Sequence, residues 1–526
     1  TVNKTMKNNQ LLKYYIFTLA LIEGFCVMAC ELLSAKLVAP YFGGSLYVWS
    51  AVLGITLTAL MGGYYFGGYL SEQTKNARSA VLLVLSLGAT LLILMPFLAS
   101  SIMKICIEMS VLSGVIASLF IFLFPPLFLF GSSSPLLIDI LNKELNKAGK
   151  ASGTIYSIST LGGIVATFLL GFYLIPEYGL TIPAVTVGSL LLITTSFGFF
   201  NLKKKVLAGI NVIIIVFGLV NSAEANNKNT GEYNLLYASE GILGQIKVIE
   251  QPFTTYSRGT HQGRLLFVNN TAQTIAYAEN TSQTLWDWSF FYSGVASLAK
   301  DKGEVLLLGL GGGTFYHQLN NLGYNVDAVE LDQRIKDISI EYFSVPASAN
   351  VVVDDARHFI NINKKKYDLV LMDLFLNETP PAHALTKEAF EKVKTDLNEE
   401  GFVMINFYGF LTGENGKAAR SIIKTIKDCD LHTYVLPTPG EENERNLIII
   451  GSKSNLDFSQ IDEESLGIKG FNITDKIINY TDKTVEDAVT LIDNKPELEK
   501  LYLNLSLNWR RDITKYFTKN FIKHNL

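Results

Sequence analysis

Seven apolar runs, each near the roughly twenty residues that a membrane helix needs, crowd the first 223 residues and dictate what this chain can become. They lie near 15–38, 46–70, 79–101, 111–138, 154–175, 180–200 and 206–223. The sequence therefore predicts a multispan α-helical membrane domain. The fourth run is long and holds Pro125 and Pro126, which predicts a kinked helix. Mean hydropathy is +0.26 although 17% of residues are charged, so a second region of different character must follow. After residue 227 the chain is mixed in composition, and the remaining span of about three hundred residues suffices for a full core. The expected organisation is a transmembrane domain over 1–223, a linker and small β region over 224–302, an α/β domain over 303–452 and a mainly helical extension over 453–526.

Lys4, Lys7 and Lys13 precede the first run, Lys75 and Arg78 follow the second, Lys143, Lys147 and Lys150 follow the fourth, and Lys203, Lys204 and Lys205 follow the sixth. The other side carries Lys104, with Lys36 near a helix end. This asymmetry predicts a cytoplasmic N-terminus in a prokaryotic cytoplasmic membrane, and seven spans then place the soluble part outside. The last run, with lysines before it and small residues after it, also reads as an internal export signal. A re-entrant segment would reverse that placement. Glu23, Glu31 and Lys36 lie in the first run, where charges serve either a polar path or an ion pair that fixes helix packing. Cys26 and Cys30 share a helix face but lack His or Asp neighbours and read as small buried residues. Gly62, Gly63, Gly67 and Gly68 predict close helix approach. Cys429 stands alone in the soluble part, which excludes a disulfide framework there. The net charge of −4 gives no electrostatic footprint for nucleic acid; the lipid bilayer is the partner that composition implies, and a homo-oligomer is compatible with it.

From Gly303 onward, short apolar strands alternate with helices: EVLLLG, NVDAVE, NVVVD, DLVLMD, GFVMINF, LHTYVL and NLIIIGS. Such alternation implies a parallel sheet covered on both faces. Seven strands, the last two joined without room for a helix, predict the Rossmann-type α/β sheet of class I methyltransferases. In such a sheet ligands lie beyond the C-terminal strand ends. There stand Gly309, Gly311, Gly312 and Gly313 after the first strand, Glu330 after the second, Asp354, Asp355 and Ala356 after the third, and Asp373 after the fourth. Glycines let a ligand approach the backbone, and a carboxylate accepts from both hydroxyls of a ribose. One of Asp354 and Asp355 could accept from an adenine amino group, and Asp355 could equally cap its helix. No GxxxxGK[ST] pattern is present, so carboxylates suit a cationic sulfonium donor or an amine acceptor better than a phosphate. His383 reads as a loop histidine or a proton shuttle. Trp286, Trp288 and Phe290 read as core, with one ring against the ligand. No metal is expected.

At these residues the chain resembles the spermidine synthase (polyamine aminopropyltransferase) superfamily in its membrane-fused form. ELLSAKLVAPYFGGSLYVWSAVLG and GGYYFGGYLSEQ carry the resemblance in the N-terminal half. ILGQIKVIEQ, GRLLFVNNTAQT, GLGGGT, VELD, DDAR, DLFLNETPPAHALT and GFVMINF carry it in the soluble half. The resemblance implies decarboxylated S-adenosylmethionine or S-adenosylmethionine as co-substrate and a small amine or polyamine acceptor. It implies that Glu330 holds the ribose, that Asp355 lies beside the adenine, that Asp373 orients and deprotonates the amine, and that Gln273 contacts substrate, with His383 near it. It also marks departures. Gly312 stands where the family has an acid, Gly244 where it has a glutamine, and Trp288, Ser289 and Phe290 where it has a Tyr-His-Glu run; a second acid has no counterpart near Asn377 and Glu378. Three functions stay open: a membrane-bound aminopropyl-type transferase, an S-adenosylmethionine-dependent methyltransferase, and a transporter or sensor whose soluble part binds ligand without catalysis.

Overall fold

The computed structural model describes residues 2–225, 233–241, 243–255, 259–300, 302–375, 379–443, 445–463, 472–479, 485–495 and 497–520. The chain divides into two compact units, one of Thr1–Thr230, Ala238–Ile246 and Arg511–Leu526, the other of Gly231–Tyr237 and Lys247–Arg510.

Among the described residues of the first unit, seven helices are long and apolar enough to cross a membrane: Gln10–Phe42, Leu46–Gln73, Ala77–Cys106, Phe124–Leu145, Ala148–Tyr178, Thr181–Asn201 and Lys205–Ser222. The expected fourth span over 111–138 is instead two helices, Val111–Phe122 and Phe124–Leu145. Pro125 and Pro126 explain the division. Lacking N–H groups, they cannot continue the ladder from the preceding turn, yet both fit the first turn of a new helix. Gly63 and Gly67 face that new helix at contact distance. A Cβ on either would lie within 2.4 Å of a backbone oxygen, of Phe128 and Ser132 respectively, whereas Gly68 faces open space. Glu23 is buried and accepts from the hydroxyl of Ser159 at 2.9 Å, a neutral partner on the helix Ala148–Leu169. All four cysteines are free and buried.

Two sheets form among the described residues. The first runs β1 (Asn234–Ser239), β2 (Ile246–Thr255), β3 (Gly259–Val268) and β4 (Thr271–Tyr277), in that order across the sheet. β3 and β4 are joined at Asn269 and Asn270, both with positive φ, as a two-residue hairpin turn requires.

The larger sheet contains β5 (Glu304–Leu308), β6 (Asn325–Glu330), β7 (Asn350–Val353), β8 (Tyr367–Met372), β9 (Leu397–Tyr408), β10 (His432–Pro437), β11 (Asn446–Ser452) and a two-residue β12 (Ile478–Asn479). Its order is β12-β10-β11-β9-β8-β5-β6-β7. β7, β6, β5, β8 and β9 are parallel neighbours, and β11 is antiparallel to both β9 and β10. Seven strands of this mixed sheet are those expected from the sequence, in a methyltransferase-like arrangement; β12 adds a short edge. β8 is buried along its whole length, as a central strand with helices on both faces must be. The order reverses between β5 and β8, and the crevice at that reversal is where a doubly wound sheet offers a ligand site.

Candidate functional site

At the end of β5, the amide of Gly309 donates to Val329 O at 2.8 Å and the amide of Asp373 donates to Leu308 O at 2.8 Å. The chain ends of β5, β6 and β8 are thereby stitched together. Gly309 has φ +92°, and a Cβ there would lie 2.1 Å from Asp373 O, so no other residue fits without moving β8. Gly311 and Gly313 also have positive φ, and the loop enters the helix Thr314–Asn321.

Glu330 closes β6 and is partly buried beneath this loop. Its Oε2 accepts from Leu310 N at 3.0 Å and Gly311 N at 3.4 Å, and its Oε1 accepts from Asp332 N at 3.0 Å. Burial raises its pKa, with those amides of Asp332, Leu310 and Gly311 opposing. Oε1 keeps a second lone pair, and the long Gly311 bond on Oε2 is the one that a second hydroxyl of a diol would replace.

The next strand end carries Asp354 and Asp355. Asp354 accepts from the ring of His358 at 2.7 Å. Asp355 caps the helix Ala356–Ile362 by accepting from His358 N at 3.0 Å, and its other oxygen meets His383 Nε2 at 3.2 Å. Burial works against ionisation of Asp355, but the His358 amide and the His383 ring outweigh it and hold the carboxyl below its ordinary range. The structure therefore puts His383 against Asp355, at the third strand end.

Asp373 follows β8. Burial pushes its pKa up to about 6; the Asn406 amide opposes this and the charge of Glu330 adds to it. Asn406 Nδ2 donates to Asp373 Oδ1 at 2.7 Å, and Asn406 Oδ1 accepts from Tyr292 OH at 2.6 Å and Asn446 Nδ2 at 2.8 Å. Trp288 packs edge to face on Tyr292 and on Phe315, Tyr292 and Phe315 meet at a tilt, and Trp286 lies against Trp288. Tyr292 and Phe315 belong to the core, and Trp288 and Phe290 pack on the same cluster.

Gln273 lies on β4, and its carbonyl oxygen would be 3.8 Å from a Cβ on Gly311. Its neighbour Thr274, absent from the sequence expectations, makes the direct contact: Gly312 N donates to Thr274 Oγ1 at 2.8 Å. A Cβ on Gly312 would meet three atoms of the Thr274 side chain at 2.8 Å. Thr274 thus fills the volume that an acid at position 312 would need. Asn406 and Tyr292 were also missed. A lone Asn inside the apolar run GFVMINF was the available signal for the first, whereas nothing local marks Tyr292 among the aromatics of its helix Ser289–Ala296. Asn377 and Glu378 lie outside the described residues. No group of three or more metal-ligating side chains occurs among the described residues.

Residues 293–459 match the spermine/spermidine synthase domain family. A probable polyamine aminopropyl transferase of Bifidobacterium longum (strain NCC 2705) is 34% identical over 132 residues, covering 25% of this chain and 29% of that protein. Polyamine aminopropyltransferase 2 of Aquifex aeolicus (strain VF5) is 25% identical over 490 residues, covering 87% of this chain and 90% of that protein. An N-terminal histidine N-methyltransferase of Emericella nidulans is 26% identical over 157 residues, covering 29% of this chain and 28% of that protein. The Bifidobacterium and Emericella matches thus span less than a third of those relatives, while the Aquifex match extends into the apolar half of this chain. By the domain match and the aminopropyltransferase relatives together, residues 293–459 are similar to the spermine/spermidine synthase domain.

Proposed function

We propose that this chain is a membrane-bound transferase that moves an alkyl group, of the aminopropyl kind, from an adenosyl sulfonium donor to an amine. The observation that carries the reading is the place of Asp373: a half-buried carboxyl at the end of β8, held by the Asn406 amide beside the glycine loop, where burial pushes its pKa up to about 6 and the charge of Glu330 adds to that. Glu330 would take the ribose hydroxyls, Asp355 the adenine edge, and the loop the chain that bears the sulfur. Asp373 would accept a proton from the attacking amine, whose nitrogen forms the new bond to carbon as the carbon–sulfur bond breaks and its electron pair returns to sulfur. Exclusion of water from the crevice lowers an ammonium's pKa as it raises the carboxylate's, so the proton can pass between them near neutral pH.

Gly312 favours a second outcome on the same scaffold. With Thr274 in that volume, the donor's amino tail has no carboxylate from the loop, and a donor that keeps its own carboxylate meets less repulsion. The methyltransferase relative accords with this. Full-length protein in detergent, given S-adenosylmethionine or its decarboxylated form with a panel of primary amines, separates the two by mass spectrometry. Release of methylthioadenosine reports aminopropyl transfer and release of S-adenosylhomocysteine reports methyl transfer. Asp373→Asn is expected to lower either rate by about 100-fold or more while methylthioadenosine binding stays within about threefold. A full-rate variant would place the base elsewhere.

A further inference from the structure

Asn406 is 4% exposed within a strand whose neighbours Phe402, Val403, Met404, Ile405 and Phe407 are buried and apolar. A polar side chain in such a strand is costly unless its groups are paired, and this one is paired with three residues from three other elements. Its oxygen takes two donors, Tyr292 OH from the helix Ser289–Ala296 and Asn446 Nδ2 from β11. Its nitrogen points to Asp373 Oδ1 at the end of β8. An ionised carboxylate only accepts, so the amide nitrogen must face it; with two donors already on the amide oxygen, a flip would set donors against donors.

We propose that Asn406 is a positioning residue for the transfer: locked by Tyr292 and Asn446, its amide holds Oδ1 of Asp373 and leaves Oδ2 as the oxygen that receives the amine's proton. This rests on the site being a sulfonium transferase. The titratable groups that face Asp373 are Glu330 from the end of β6 and Tyr292 from the neighbouring helix; β9 and β11 contribute the neutral amides of Asn406 and Asn446. Glu330 and burial favour the protonated acid, and the Asn406 N–H is the group that favours the carboxylate. Removing it must therefore raise the pH at which Asp373 becomes charged.

Calorimetry on the full chain between pH 5 and 8 reads this without an acceptor. Methylthioadenosine is a neutral nucleoside and decarboxylated S-adenosylmethionine carries the sulfonium charge, so the ratio of their Kd values follows the charge on Asp373. In the unmodified protein the preference for the sulfonium should switch on with a midpoint of about 6. Asn406→Leu should move that midpoint upward by about one pH unit, a tenfold change in proton affinity, with methylthioadenosine affinity held within about threefold. Tyr292→Phe, which leaves the amide anchored by Asn446, should move it upward by less. An unmoved midpoint in Asn406→Leu overturns the proposal. If that variant loses nucleoside binding altogether, Tyr292→Phe decides, and no shift there overturns it. Absence of heat from both nucleosides with the unmodified protein defeats the transferase reading itself, and the role of Asn406 with it.

Discussion

Thr274 and Gly312 share one volume, and the consequence is a loop that tolerates no side chain at its centre. Gly312→Ala should displace Thr274 and weaken methylthioadenosine binding about tenfold, the scale expected for roughly 1–2 kcal/mol of overpacking. Adding Thr274→Gly should recover most of it; calorimetry on the single and double variants checks the coupling, and an additive loss would contradict the shared-volume account. On the proposed reading Asp373 sets the pH response. Its pKa in the folded chain, about 6, lies above the ordinary carboxyl value, so the native site holds a proton between pH 4 and 6 that a solvated carboxyl would release. A base must be unprotonated, hence kcat/KM should fall tenfold per unit as pH drops below about 6, and a flat acid limb would argue against Asp373 as the base. That Glu330, Asp355 and Asp373 stand at strand ends was legible in the sequence, because each is an acid that ends an apolar run. Thr274 and Asn406 were not. Their roles depend on which strands come together: β4 against the glycine loop, and β9 between β8 and β11, pairings that no local pattern encodes.

Among elements, the β3–β4 hairpin has a buttress that sequence reasoning did not anticipate. Arg510, on the C-terminal helix Glu497–Asn520, is fully buried and donates to Asn269 O, in the hairpin turn, and to Thr271 Oγ1, the residue that follows the turn. The same helix bonds through Tyr502 OH to Tyr408 O at 2.6 Å, at the end of β9. The helix thus holds the hairpin that places Thr274 on the glycine loop. Arg510→Met would leave buried acceptors without a donor, at a cost of about 1–3 kcal/mol. Hydrogen exchange should accelerate across 263–277 in that variant; unchanged protection would show that the hairpin needs no buttress. A helix end that supports a β-hairpin some 240 residues away is a tertiary fact that no local pattern encodes. In the apolar half, the proline pair announced a break in the fourth segment. That the break yields two helices rather than one bent helix follows from two consecutive residues lacking N–H groups.

For the whole molecule, the described residues include seven helices long and apolar enough to cross a membrane, and residues 293–459 are similar to the spermine/spermidine synthase domain. The distribution of Lys and Arg predicts that a reporter fused after Ala223 is active outside the cytoplasm. A cytoplasmic signal would overturn that orientation and give the site direct access to the cellular donor pool. Either orientation leaves the central claim intact, since that claim concerns what the crevice between β5 and β8 binds. Its most direct test is calorimetric titration of the full chain with methylthioadenosine, beside Glu330→Gln. The account predicts saturable one-site binding that weakens about tenfold or more in the variant, the scale of a lost charge-assisted hydrogen bond pair. No binding, or binding that Glu330→Gln leaves unchanged, would contradict it.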